Sequence, residues 1–186
     1  MKAYHLTILA MAEAIALRFA VVESPIQHVL VQMPLLVLAG VLLVRKTQIQ
    51  QRWATPLLLV ALTVFGFWML PRNVDWALTP MGEVAKYLSL PAMLGVPLRL
   101  SWPWLGPVLR GFLKANALSM LGVLGFLYIH APVRICNSYL VSAQQDLGVA
   151  FLYLAAGLAC LWAVPILFGN LRGPNWAAAS CAKCGV

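Results

Sequence analysis

Cys136-Asn-Ser-Tyr-Leu-Val-Ser-Ala-Gln-Gln-Asp-Leu-Gly148 is the most polar run between two long apolar segments of this chain. The apolar run before it covers 115–129 and the one after it 147–168. About 20 apolar residues carry a helix across the hydrocarbon core of a bilayer. A polar link between two such runs therefore reads as the loop joining two membrane-crossing helices. His130 and Arg134 adjoin it, so chemistry or a docking surface is expected here first.

Composition extends this reading to the whole chain. Of 186 residues, 62% are hydrophobic and only 10% charged, against about 25% charged in a soluble domain. Four further apolar stretches precede the last two: 6–22, 26–44, 53–70 and 84–100. Lys86, Pro91 and Pro97 interrupt the fourth, which fits a kinked span, a re-entrant segment or an interfacial helix. Neighbouring groups must then satisfy the carbonyls that proline frees. Glu13 inside the first run argues for a retained helix rather than a cleaved leader. The expected fold is an all-α polytopic bundle of six transmembrane helices. Residues 1–170 form one transmembrane domain and 171–186 a cytoplasmic tail.

Charge sets the expected orientation. With the 45–52 loop inside, the inner set is Lys2, Arg45, Lys46, Arg52, Arg99, Arg110, Lys114, Arg172 and Lys183. That is nine of 13 basic residues and no acid. The outer set is Glu23, Arg72, Asp75, Glu83, Arg134 and Asp146. This is the positive-inside pattern, and it places both termini in the cytoplasm of a bacterial-type inner membrane. The net charge of +8 then reflects topology, not nucleic-acid binding.

Three outer polar groups are candidate sites. His28 shares a helix face with Gln32, four residues on, and Met33 follows. The second group is Arg72 to Glu83, with Asp75 and Met81. The third is His130, Arg134, Cys136, Asn137, Gln144, Gln145 and Asp146. Imidazole, thiolate and thioether donors suit copper, so His28, His130 and Cys136 with Met33 or Met81 form a candidate copper set. Two imidazoles could alternatively ligate a haem iron, and plain hydrogen bonding at helix ends is the structural alternative. Arg72, Asp75, Arg134, Asn137, Gln145 and Asp146 are the candidate partner interface. The Cys181-x-x-Cys184 pair supplies two ligands without the second pair that a zinc site needs. Cys160, inside an apolar run, is expected to be a small buried side chain. There is no Gly-x-Ser-x-Gly, no His-Glu-x-x-His, no phosphate-binding loop and no dinucleotide fingerprint.

Two stretches resemble the CtaG-type family of cytochrome c oxidase assembly factors and its smaller membrane relatives. One is His28-Val-Leu-Val-Gln32-Met33-Pro34-Leu-Leu-Val-Leu-Ala-Gly40. It is similar to the family's histidine helix, with Gln32 where a second histidine is expected. The other is Ser142-Ala-Gln-Gln145-Asp146-Leu-Gly148, similar to the family's acid–amide pair and glycine but with acid and amide reversed. The resemblance implies a role in copper delivery during oxidase maturation, with His28 as a ligand. The leading expectation is a non-enzymatic accessory protein of a respiratory membrane complex, acting in assembly or as a small bound subunit among other membrane subunits. A copper-binding protein of the outer face is one alternative. A small-solute transporter, motivated by Glu13, Lys86 and the proline-broken fourth run, is another.

Overall fold

The computed structural model describes residues 11–12, 24–44, 49–131 and 140–168. It is 91% helical, and no strand occurs among the described residues. Helix α1 is Gln27–Leu43, α2 Gln51–Met69, α3 Pro71–Trp76, and α5 Pro107–His130. Helix α4 runs from Pro80 to Ser101 in three joined pieces, Pro80–Ser89, Leu90–Gly95 and Val96–Ser101. Helix α6 is Val141–Phe168. Among the described residues, three helices are long and apolar enough to cross a membrane: α2, α5 and the Val141–Val164 part of α6. The apolar run at 6–22 and the tail at 171–186 lie outside the described residues, apart from Met11 and Ala12.

Local chemistry explains the helix ends. Pro71, Pro80 and Pro107 each begin a helix, where the missing N–H costs nothing and φ is already helical. Thr79 caps α4: its Oγ1 accepts from Gly82 N at 3.2 Å, with Glu83 in the first turn, which the helix dipole favours.

The interruptions of α1 and α4 are π-helical turns rather than breaks. Gln27–Gln32 and Leu90–Gly95 are wound as π-helix, and each ends two residues before a proline, Pro34 or Pro97. A proline ring presses on the preceding turn and withholds a donor. The wider π turn accommodates it, and Met33 N then reaches His28 O while Val96 N reaches Pro91 O. Helix α4 is therefore continuous over 80–101, about 33 Å at 1.5 Å per residue.

Helices α1 and α4 run parallel, with Gln32 beside Lys86 and Gly40 beside Pro91 and Gly95. Their backbones nearly touch. A Cβ on Gly40 would meet the Pro91 carbonyl oxygen, and one on Gly95 would meet that of Val37. Met33, Leu36, Ala61, Trp68, Leu90 and Leu94 close the core around this crossing. Helices α5 and α6 are antiparallel and form the most extensive helix pair. They meet where Gly125 and Gly148 each bring a backbone oxygen to 2.9–3.0 Å of the other's would-be Cβ. Tyr128, Leu147 and Phe151 make a second core, onto which Ile26, Val29 and Leu30 of the first unit pack.

Several expectations are revised. The helix expected from Ala115 begins at Pro107, because Arg110 and Lys114 are accommodated by tryptophan rings rather than ending it. The last helix begins at Val141, not Leu147, so most of the quoted polar stretch from Val141 onward is helix. Cys160 is exposed, since the outward face of α6 meets no other described helix there. Gly111 and Gly122 have nothing among the described residues within 4 Å of a would-be Cβ, whereas Gly125 stands at the α5–α6 crossing.

Candidate functional site

The most unusual chemistry lies between α1 and α4. Lys86 is 1% exposed, and His28 and Gln32 are fully buried. The Lys86 ammonium donates to Gln32 Oε1 at 2.7 Å. Gln32 Nε2 donates to the Tyr87 hydroxyl at 2.9 Å. The ammonium also lies 5.3 Å from the Tyr87 ring centroid. A charge taken out of water needs such partners, because burial without them costs several kcal/mol. One turn further along, Trp68 Nε1 of α2 donates to Ser89 Oγ of α4 at 3.0 Å, and Trp68 stacks on Trp76 at 6.0 Å. Polar groups thus join α4 to both α1 and α2 at the end of the bundle where α4 starts.

His28 sits within this cluster. Neither ring nitrogen has a partner in hydrogen-bonding geometry among the described residues. Met33, the expected thioether, is buried at 5% exposure and belongs to the apolar core. His130 ends α5 on the exposed side. Its Nδ1 is 2.9 Å from Phe126 O, and its ring stacks on Phe126 at 4.2 Å.

Among the expected interface residues, Arg72, Gln145 and Asp146 are exposed and Asp75 is half-buried. Gln144, beside Gln145, is instead buried at 1% exposure. Arg134, Cys136 and Asn137 lie outside the described residues.

Of the expected copper set, His28, His130 and Met33 are among the described residues and Cys136 is not. No three of His, Cys, Asp and Glu come together among the described residues. Gln32, at the position where the resemblance expects a second histidine, has its oxygen engaged by an ammonium. Two unit charges about 4 Å apart interact by about 4 kcal/mol at an effective dielectric of 20, so Lys86 disfavours a second cation beside Gln32. The cluster is suited to fastening α1 to α4 and to facing a neutral or anionic polar group.

Lys86 carried a signal in the sequence, as an ionisable residue inside an apolar helix. Its partner did not, because Gln32 lies 54 positions away. Tyr87 carried none.

Comparison with known proteins gives no match: no family model, curated protein or solved structure aligns significantly with this chain.

Proposed function

We propose that this chain is a multi-pass accessory protein of a respiratory membrane complex, acting in haem–copper oxidase assembly or as a small bound subunit. One observation carries the reading. The two stretches that resemble oxidase assembly factors lie at least 102 positions apart in the sequence and are adjacent in the fold. His28, Gln32, Met33 and Gly40 are buried on α1; Gln144, Leu147 and Gly148 are buried on α6. Val29 and Leu30 of the first stretch pack on the cluster that Leu147 of the second forms with Tyr128 and Phe151.

The proposed topology has six spans, with both termini on the cytoplasmic side of a bacterial-type inner membrane. The parallel course of α1 and α4 supports it, since two spans separated by one antiparallel span cross in the same direction. So does the charge arrangement. Glu83 lies in the first turn of α4 and Asp146 in the second turn of α6, whereas Arg99 lies near the end of α4 and Arg110 and Lys114 near the start of α5.

The test is gentle detergent extraction of native membranes, native-gel separation and mass spectrometry of the band holding this protein. Migration in fixed ratio with oxidase or other respiratory subunits is the expected result. Migration alone overturns the reading.

A further inference from the structure

A second region, away from the Lys86 cluster, has the chemistry of a lipid site. A groove of about 340 Å³ lies between α2, α4, α5 and α6. Leu62, Phe65, Leu94, Leu98 and Ala117 line its apolar part. Trp102, Lys114, Asn116 and Trp162 also line it.

Among the described residues, the charges there are all of one sign. Lys114 is exposed, with its ammonium 5.3 Å from the Trp162 ring centroid. The Arg110 guanidinium lies 5.7 Å from the Trp102 ring centroid and donates to the carbonyls of Trp102 and Pro103 at 2.9 and 3.2 Å. Arg99 is exposed one turn before Trp102. The sequence holds no acid between Glu83 and Asp146. Asp146 is 16 positions from Trp162 on the same helix, about 24 Å away. The positive end of the α5 dipole adds to the same field. Helix α5 is 24 residues long, about 36 Å, so Lys114 stands about 10 Å from its start, within reach of the headgroup region by snorkelling.

We propose that this groove binds an anionic phospholipid. One acyl chain lies along Phe65, Leu94 and Leu98, and the phosphate is held at Lys114 and Arg110 between the two indoles. A basic pocket between transmembrane helices, with an apolar floor and tryptophans at its mouth, meets both halves of such a molecule. The inference rests on membrane insertion and is independent of any oxidase partner.

The full chain in phosphatidylcholine vesicles tests it, by quenching of tryptophan fluorescence with brominated phosphatidylglycerol or brominated phosphatidylcholine. Stronger quenching by phosphatidylglycerol is expected, and Trp102→Phe with Trp162→Phe should remove the excess. Lys114→Gln should reduce the preference about fivefold, the effect of one basic residue at an anionic surface. Arg52→Gln, an exposed cation outside the groove, should leave it unchanged. Equal quenching by the two lipids overturns the proposal. So does an excess that Lys114→Gln leaves undiminished, or one that is lost with Arg52→Gln instead. If Lys114→Gln does not fold, the tryptophan variants decide: an excess that persists without Trp102 and Trp162 refutes the site. Loss of respiratory co-migration on native gels leaves this result untouched.

Discussion

The α1–α4 and α5–α6 pairs solve the same problem differently. Both are helix crossings notched by glycine, in a bundle whose outer surface is apolar. At α1–α4 the close approach is backbone against backbone, and a buried ammonium, an amide and a phenol lock the helices in register. At α5–α6 the nearest atoms to each notch include the side chains of Leu152, Ile129 and Tyr128, and Tyr128 stacks on Phe151 at 6.0 Å. Between membrane helices there is little hydrophobic drive, so close packing and hydrogen bonds carry the association. The first crossing uses both, and should tolerate change less than the second.

The largest effect is expected at Gly95. Any side chain there meets the Val37 carbonyl and the Gly40 Cα, neither of which can rotate away. Gly95→Leu should cost about 3 kcal/mol, at the upper end for overpacking, and appear as loss of monodisperse protein after detergent extraction. Normal yield and an unchanged melting temperature would show that α1 and α4 part freely.

Lys86→Ala should come next. It removes the donor from buried Gln32 Oε1, at a cost of about 2 kcal/mol for a stranded polar group. Lys86→Met combined with Gln32→Leu should recover much of that loss, because an apolar pair leaves less unsatisfied polarity. Thermal unfolding in detergent reads both, and strict additivity of the single changes would mean that the two residues are not coupled.

At the other crossing, Gly125→Ala should cost only about 1 kcal/mol, because overpacking against movable atoms is relieved by rotamer change. The nearest of them are Leu152 Cδ2 and Cγ, both at 2.9 Å. A loss equal to that of Gly95→Leu would erase the distinction between the pairs. Gly122→Ala, one turn away and open on all sides, should be neutral or stabilising by up to about 1 kcal/mol from helix propensity. Destabilisation there would place an unseen neighbour on that face.

Particular residues show how far the sequence could be read. The apolar run at 53–70 is α2 within two residues at either end, because length and hydropathy are local properties. Helix α5 was cut short by Arg110 and Lys114, whose charges interrupt an apolar count although the long stems and the tryptophan rings keep the helix going. Pro91 and Pro97 made 84–100 look broken, and the π turn that carries α4 through them depends on packing against α1. His28 and Gln32 were visible as a shared face. That Gln32 faces Lys86 was not, since helix rotation is set by the neighbours.

The sequence by itself determined an all-helical chain with helices suited to a bilayer, because about 20 consecutive apolar residues leave the backbone no other way to satisfy its polar groups there. Only the tertiary structure decided that Lys86 answers Gln32, that Gly40 faces Gly95, and that Lys114 and Trp162 share a groove. Those pairings depend on the rotation and register of one helix against another, and residues 48 to 55 positions apart carry no local record of either.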